Sequence, residues 1–269
     1  MKSTVRETRR MAIAGAVAIT LLFGVRTIIR NPDWDSLAAG WKGLQRDHPE
    51  AYRAQWVNGS TMWYRGQVEL AEKYYQLAEK IWPRDSQMLT EIGNFYIGQR
   101  KFDKAVEYLE KSRDMTAFVP RTYEFLGFAY LYANRPKDAL NAAIHANRMG
   151  GAHKALTYGV IAGAYDDLGR YDDAAGAWRA SARARDGDIW LTHAFQARSL
   201  ARAGRTPDAI AATDVAMKKA MNEPSIIAVV SKLKAAIAEG CYPSGSQCDP
   251  LQGWMITSGA IVPRPAISK

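Results

Sequence analysis

The first apolar run of the chain, MAIAGAVAITLLFGV at residues 11–25, follows three arginines within residues 6–10. Its 15 residues would form about 22 Å of helix, which is shorter than the roughly 30 Å hydrocarbon core of a bilayer. The helix can continue through Arg26 to Ile29, because the side chain of Arg26 would lie close enough to the far interface to reach it. The longer helix measures about 28 Å. The pattern therefore predicts a helix that can span a membrane.

A secretory leader ends in a cleavage site of the small-x-small type directly after its apolar region. Here the chain continues FGVRTIIRNP, which contains no Ala-x-Ala. We therefore expect residues 1–30 to be an uncleaved signal-anchor, with a removed leader and a peripheral helix as the alternatives. The basic flank predicts a cytoplasmic N-terminus in the bacterial inner membrane and places the rest of the chain in the periplasm.

One face of the predicted anchor carries a small residue at every fourth position. Faces of this kind let transmembrane helices approach closely and associate through packing. The alternative, which the sequence slightly favours, is the alanine-rich composition that is common in leaders and anchors. Docking of this face on a membrane partner is therefore a hypothesis. Its residues are Ala12, Ala16, Thr20 and Gly24.

Beyond the anchor, helical periodicity recurs in five similar segments. A small residue that can close one helix against its neighbour returns at spacings of 34, 34, 35 and 35. An alanine follows twelve positions after each of these, and a bulky residue lies between the two. The pattern predicts helical hairpins that stack in sequence order. The small residues are Gly59, Gly93, Gly127, Ala162 and Ala197, the alanines are Ala71, Ala105, Ala139, Ala174 and Ala209, and the bulky residues are Met62, Tyr96, Tyr130, Tyr165 and Leu200.

This arrangement resembles the tetratricopeptide repeat (TPR) family, whose helix–turn–helix units pair small and bulky residues at fixed positions. The resemblance covers residues 50–223. It implies an all-α fold, a TPR-like α-solenoid of about five helical hairpins preceded by the N-terminal transmembrane helix. Four of the turns agree with it, since each of these four contains a residue that tolerates left-handed backbone. These turn residues are Gly66, Asn134, Gly169 and Gly204.

The segments that flank the repeats predict capping elements, because the terminal unit of a solenoid has an open apolar face. Residues 31–49 resemble half a repeat, and residues 224–240 have the apolar spacing of an amphipathic helix. Residues 241–269 show no helical period. We expect this apolar tail to lie in the groove of the repeats or on a partner. Within it, Cys241 and Cys248 form either a small disulfide in an oxidising compartment or two unrelated thiols.

Composition excludes a disordered chain, because 48% of the residues are hydrophobic. The net charge is +9, but residues 1–30 contribute +5 of it, leaving +4 for the remaining chain. Because no stripe of Lys and Arg with interleaved aromatics appears beyond the N-terminal end, we expect no nucleic-acid partner.

The sequence contains no set of residues that predicts catalysis, a cofactor or a metal site. The four histidines, His48, His145, His153 and His193, lack the acidic or cysteine spacing of a metal site, and solvated or capping roles explain them. No P-loop, G-x-G-x-x-G or G-x-S-x-G motif is found. The acidic residues of YDDLGRYDDAA are interpreted as a solvated helix surface. We therefore expect a protein that is not an enzyme.

TPR arrays typically bind partners on the concave face built from their first helices, and the resemblance places a corresponding groove on this chain. Its N-terminal half is aromatic and its C-terminal half is charged, and ordinary packing between helices is the alternative role for any of its rings. Apart from Asn94, the groove lacks the Lys/Asn carboxylate clamp of chaperone-binding members. The groove residues are Arg53, Trp56, Trp63, Tyr64, Thr90, Asn94, Glu124, Phe128, Tyr132, Asp166, Asp167, Arg198 and Arg202.

Together these features predict a membrane-anchored TPR scaffold or accessory subunit. Its partners would be other protein subunits, mainly integral membrane proteins, and lipid would contact the N-terminal helix. The scaffold would assemble or stabilise a photosynthetic, respiratory or envelope complex at the periplasmic face. The alternatives are a soluble periplasmic adaptor or assembly chaperone, and a regulatory partner of an envelope glycosyltransferase or peptidoglycan enzyme.

Overall fold

The structure, a computed structural model, describes residues 2–31, 36–242, 249–252 and 254. Within these residues the chain forms thirteen helices and no strand. It divides into two compact units, Met1–Pro83 with α1–α4 and Arg84–Lys269 with α5–α13. The helices are α1 Lys2–Arg30, α2 Leu37–Asp47, α3 Tyr52–Tyr64, α4 Val68–Ile81, α5 Ser86–Gly98, α6 Phe102–Met115, α7 Pro120–Tyr132, α8 Pro136–Arg148, α9 Lys154–Asp167, α10 Tyr171–Arg183, α11 Trp190–Arg202, α12 Thr206–Lys219 and α13 Pro224–Ala238.

Helix α1 is exposed on all sides. Every side chain described between Met11 and Ile29 is accessible to solvent, including the large apolar ones. The Thr20 and Thr27 hydroxyls donate to carbonyl oxygens one turn back at 2.9 and 2.8 Å, so they are satisfied within the helix. Within the described part of the chain, no helix meets the combined length and hydropathy that a bilayer crossing requires. The helical conformation predicted for this segment is observed, whereas its crossing of a membrane is not shown.

The small face predicted on α1 is open where its side chains are described. Ala16, Thr20 and Gly24 are exposed, and no atom lies within 4 Å of the position that a Cβ on Gly24 would take. The side chain of Ala12 lies outside the described ones. Docking through this face stays a prediction.

In the first unit, α3 and α4 form a hairpin that is closed by close packing at Gly59. A Cβ at Gly59 would lie 2.9 Å from Cδ1 of Tyr75, so only glycine lets the ring approach this closely. Ala71 is completely buried beside them, and the Ser60 and Tyr75 hydroxyls lie 3.1 Å apart. Helix α2 packs on α3, where Gln45 donates to Asn58 at 2.7 Å.

In the second unit, four hairpins follow one another as α5/α6, α7/α8, α9/α10 and α11/α12. Each second helix also packs on the first helix of the next hairpin, and α13 packs on α12 and α11. The small residues that the repeat pattern places between helices are buried, and the alanines twelve positions later have no accessible surface. The predicted all-α fold of TPR-like hairpins is confirmed.

The turns inside three successive hairpins of the second unit, α7/α8, α9/α10 and α11/α12, are closed in the same way. An arginine at the helix N-cap donates its backbone N–H to the carbonyl five residues earlier, at 2.8 to 2.9 Å. Its guanidinium Nε donates to an aspartate three residues later, at 2.7 to 2.8 Å. We call this arrangement the turn clamp. Its pairs are Arg135 with Asp138, Arg170 with Asp173 and Arg205 with Asp208.

A buried hydroxyl network joins the first three helices of the second unit. The Thr90 hydroxyl lies 2.8 Å from that of Ser112 and 2.9 Å from that of Thr122, on α6 and α7. Both Thr90 and Ser112 donate to the backbone carbonyl of Ser86 at the start of α5. The network satisfies every one of these hydroxyls inside the unit.

Candidate functional site

In the first unit, the predicted groove residues form an exposed aromatic surface on α3. Trp56 and Trp63 are half-buried, and Tyr64 is 74% exposed. The rings of Trp63 and Tyr64 stack with their centroids 6.0 Å apart. The exposed Arg53 donates through Nε to the Tyr52 hydroxyl at 2.9 Å. Large rings with accessible area are the side chains that most often anchor protein interfaces.

In the second unit, several predicted groove residues are buried. Thr90, Asn94 and Phe128 lie in the interior, and the hydroxyl of Thr90 belongs to the network described above. The half-buried Tyr132 packs against Phe128 with ring centroids 4.6 Å apart. Of this set, only Tyr132 offers accessible side-chain area for a partner.

Glu124 is also buried, and its carboxylate holds the turn that leads into α9. One oxygen accepts from the backbone N–H of His153 at 2.9 Å, and the other lies 2.6 Å from Nδ1 of the same residue. The turn passes close to the carboxylate at Gly151, where a Cβ would collide with Oε1. Glu124 therefore stabilises the fold, and its carboxylate is not directed at a partner.

A polar cluster lies between α9 and α11. Asp166 is 4% exposed, so its interpretation as solvated helix surface is wrong, whereas Asp167 is exposed as expected. Oδ2 of Asp166 accepts from Ser199 at 2.8 Å and from Trp178 Nε1 and Arg198 Nη2 at 3.4 Å each. Its Oδ1 and Nε of Arg198 are both buried without a hydrogen-bond partner among the described residues.

The described part of the C-terminal tail lies on this cluster. Asp249 is 9% exposed, and its Oδ2 lies 3.5 Å from Nη1 of Arg198 and 3.5 Å from Nη2 of Arg202. Its Oδ1 accepts from the Tyr242 hydroxyl and from the Leu251 backbone N–H, each at 3.0 Å. Burial raises the pKa of Tyr242, and the adjacent Asp249 carboxylate raises it further. The described part of the tail thus contacts predicted groove residues, which is one of the two locations that the sequence left open.

Cys241 lies at the start of this tail, but Cys248 is outside the described residues. The predicted disulfide between them therefore stays a prediction.

A cavity of about 330 Å³ adjoins the Asp249 contacts. Trp254 closes one side of it and packs edge-on against Trp190, with ring centroids 5.0 Å apart. The wall combines aromatic rings with the Asn134 amide, one guanidinium and one carboxylate, so it suits an aromatic side chain that also carries a polar atom. The lining residues are Leu131, Tyr132, Asn134, Gly163, Asp167, Trp178, Phe195, Arg198 and Trp254.

Asp167, on the wall of this cavity, carries an unfavourable charge. The residue as a whole is exposed, but partial burial of its carboxyl group against the cavity wall raises the pKa of that carboxyl. Asp166 raises it further, while Arg198 and Arg202 act in the opposite direction. Because the pKa is raised in the folded state, ionised Asp167 destabilises the fold at neutral pH. This cost decreases as the pH falls through the folded pKa and disappears below the lower pKa of the unfolded chain.

Replacing Asp167 by asparagine should therefore raise the urea midpoint of unfolding at pH 7 relative to the unmodified protein. The gain should shrink as the pH approaches about 3, where the carboxyl is protonated in both folded and unfolded chains. The matched control is Asp103→Asn in the first turn of α6, where a negative charge favours the helix and its loss should lower the midpoint. A lower midpoint for Asp167→Asn at pH 7 would contradict this assignment.

A larger cavity, of about 770 Å³, lies between the start of α9 and the end of α10. Its charged groups include Arg183, Arg185 and Asp186, all of which are exposed. Solvated groups at the rim of a cavity do not form a built site, so the polar cluster on α9 and α11 is the stronger candidate. Among the described residues, no group of His, Cys, Asp and Glu is arranged to hold a metal ion.

Sequence reasoning missed Trp178, Tyr242, Asp249 and Trp254, which all belong to this site. One signal for Asp249 was present, since it is the single acidic residue of residues 240–269. An isolated acid in an apolar tail is expected to find a basic partner when the tail folds back.

Profiles of the tetratricopeptide repeat match the sequence at residues 86–114 and 161–224. The first of these ranges contains the hairpin α5/α6, and the second runs from within α9 to the start of α13. Comparison of the sequence with curated proteins gives no match.

Several solved structures have a similar fold. The MamA protein is 19% identical, with a TM-score of 0.57 over 66% of this chain and 96% of its own. PilF of Pseudomonas aeruginosa is 15% identical, with a TM-score of 0.58 over 80% of this chain and 96% of its own. YrrB, described as a TPR protein with an unusual peptide-binding site, is 14% identical, with a TM-score of 0.56 over 71% and 97%. At these identities the likeness concerns the fold alone. Tetratricopeptide repeats thus make up residues 86–114 and 161–224 of this chain, within an all-α solenoid fold.

Proposed function

We propose that this protein is a membrane-anchored TPR scaffold or accessory subunit. It binds other protein subunits and thereby assembles or stabilises a multi-subunit membrane complex at the periplasmic face. The observation that carries the proposal is the exposed aromatic surface of α3, with Trp56, Trp63 and Tyr64, on a fold whose typical role is binding. The peptide-binding site named for YrrB supports the same kind of activity on this fold.

The proposed anchor is α1. Its apolar side chains are exposed around the whole circumference, and a helix of this kind requires an apolar environment to cover it. The hydroxyls of Thr20 and Thr27 donate within the helix, which removes their cost in lipid. Basic residues before the apolar run support the proposed orientation.

The proposed mechanism is geometric. An anchor restricts the protein to the bilayer, so a membrane-bound partner meets it at a higher effective concentration than it would meet a freely diffusing protein. Part of the translational and rotational cost of association is thereby removed before contact. The aromatic side chains of α3 then supply the contact area.

The test is replacement of both Trp56 and Trp63 by alanine, followed by affinity purification from membranes in mild detergent. Partner subunits recovered in stoichiometric amount with the unmodified protein should fall about tenfold or more with the double variant, because interface tryptophans are frequent hot spots. Helix content and the melting temperature should change little, since both side chains are only half-buried.

Trp82→Ala is the matched control, because Trp82 is also accessible but lies at the end of α4, against Tyr52. Equal partner recovery with the double variant, or equal loss with Trp82→Ala, would contradict the assigned surface.

The anchor is tested on the same membrane preparation. The intact mass of the membrane-bound protein should include residues 1–30, and a mass lacking them would instead support the soluble adaptor.

A further inference from the structure

The tail is held on the second unit through a carboxylate. Asp249 is buried between Arg198 and Arg202 of α11 and also receives the Tyr242 hydroxyl. Among the described residues, Asp249 is the only carboxylate within salt-bridge distance of Arg202. Removing the tail would therefore leave Arg202 without a described carboxylate at salt-bridge distance, while Arg198 would keep only its 3.4 Å contact with Asp166.

The fit between the tail and this arginine pair is imperfect. Both arginine contacts measure 3.5 Å, whereas a charge-assisted N–H···O bond is usually about 2.7–2.9 Å. Beside them, Nε of Arg198 is a buried donor without a partner among the described residues, and Oδ1 of Asp166 is a buried acceptor in the same condition. A buried polar atom without a partner costs about 1–3 kcal/mol, so this face retains unused hydrogen-bonding capacity.

The neighbouring cavity provides room for a second contact. Its volume of about 330 Å³ lies between Trp178, Phe195 and the Trp254 ring of the tail. Along the chain, Trp254 follows Asp249 by five residues, so the tail offers an acid to the arginines and a ring to the cavity. Between these two residues the tail is folded into turns, in which the Gln252 N–H donates to the Asp249 carbonyl at 3.1 Å and the Trp254 N–H to the Leu251 carbonyl at 3.0 Å. A segment with the same spacing and the same turns makes both contacts.

We propose that Arg198, Arg202 and the neighbouring rings of Trp178 and Phe195 form a binding site for an acidic, turn-forming segment of a partner protein, and that the chain's own tail occupies this site in the absence of the partner. The partner segment carries an aspartate or glutamate for the arginine pair and a large aromatic side chain about five residues later, in the place that Trp254 takes beside the cavity. The inference deepens the proposed scaffold function by naming the chemistry of one class of partner.

A partner protein is the occupant because the tail of a second copy has no advantage. The chain's own tail is tethered to the site and acts at an effective concentration in the millimolar range, so an identical tail from another molecule rarely replaces it. A partner segment succeeds by making the shorter arginine contacts and filling the cavity. The apparent affinity of the partner segment is its intrinsic affinity multiplied by the fraction of molecules whose site is free of the tail.

The test uses a fluorescent peptide with the sequence of residues 241–254 and serine in place of both cysteines, titrated into the purified full chain in detergent. The unmodified protein should bind this probe weakly. Releasing the tail with Asp249→Asn and Trp254→Ala should tighten binding about tenfold or more. Adding Arg198→Gln and Arg202→Gln to the released chain should abolish it, whereas adding Arg205→Gln, an exposed arginine of the turn clamp, should not.

Hydrogen exchange provides an independent readout of tail release. The Leu251 N–H donates to Asp249 Oδ1 and the Trp254 N–H to the Leu251 carbonyl. Both amides should be protected in the unmodified protein and lose protection in the Asp249→Asn, Trp254→Ala chain. Unchanged protection would mean that the carboxylate does not hold the tail, and would overturn the proposal.

Three further results would overturn it. They are equal probe binding by the unmodified and released chains, equal binding of a probe with asparagine at the Asp249 position, and retained binding after loss of both arginines. Dimers of the unmodified protein that dissociate on addition of the probe would assign the site to a second copy instead. These measurements use purified protein and residues of the second unit, so their failure is distinguishable from failure of the Trp56 and Trp63 test.

Discussion

Replacing Trp178 by alanine is expected to lower the free energy of unfolding by about 3–5 kcal/mol, because it leaves a large cavity in a packed interior. The indole is only 2% exposed and stacks on Phe195 with ring centroids 4.9 Å apart. Its Nε1 also donates to the buried Asp166 at 3.4 Å. The substitution therefore removes packing and a donor at the same point. Urea unfolding followed by far-UV circular dichroism measures the loss.

Two comparison variants separate these effects. Trp178→Phe keeps a ring against Phe195 but lacks the N–H, so we expect a smaller loss of about 1–2 kcal/mol. Phe118→Ala, at a side chain that is 87% exposed in the same unit, should change the free energy of unfolding by less than about 0.5 kcal/mol. If Trp178→Ala costs no more than Phe118→Ala, the indole is not part of the core.

Replacing Glu124 by alanine should lower the free energy of unfolding by about 2–4 kcal/mol, the second large effect. The change removes the acceptor of the His153 N–H and the partner of its ring, and it empties a buried position. Chemical denaturation gives the loss directly, and hydrogen exchange at the His153 amide reports whether the turn before α9 opens.

Graded variants test whether the buried contacts of Glu124 with His153 cause this loss. Glu124→Gln retains one carbonyl oxygen for the His153 amide and should lose about half as much as Glu124→Ala. Glu107→Ala removes an exposed partner of Lys111 and should cost less than about 1 kcal/mol. Equal losses for Glu124→Ala and Glu107→Ala would show that the buried contact contributes nothing.

The hairpins could be predicted from the sequence because their signal is local and repeated. A small residue and an alanine twelve positions later decide how closely two helices of one hairpin approach, and both lie in one short segment. Gly93 illustrates this, since a Cβ there would lie 2.5 Å from Cγ of Leu109 on the opposite helix. One turn was not predictable in this way, because Arg100 adopts a positive φ of 58° without being a glycine.

The candidate site was only partly predictable, because register identifies a helix position without saying what covers it. Glu124 and Asp167 were assigned to the same groove, but Glu124 is covered by His153, which lies 29 residues further along the chain in an irregular turn. Asp166 is buried because Ser199 and Trp178 provide donors from other helices. Such contacts depend on tertiary arrangement and leave no period in the sequence.

The tail was the least predictable part. Its sequence showed that it was apolar and aperiodic, which left both the groove and a partner as its location. What decides between them is the pairing of Asp249 with Arg198 and Arg202, about 50 residues apart in sequence. Long-range pairing of single charges has no sequence signature of the kind that identifies repeats.

The turn clamp has a consequence for how the chain is made. Each clamp joins residues no more than eight positions apart, from the carbonyl that accepts the arginine N–H to the aspartate that accepts its guanidinium. A hairpin can therefore close its turn as soon as it leaves the ribosome, before any later repeat has been synthesised. Because such local closure lowers contact order, we expect the three hairpins with a turn clamp to form early and in the order of their synthesis.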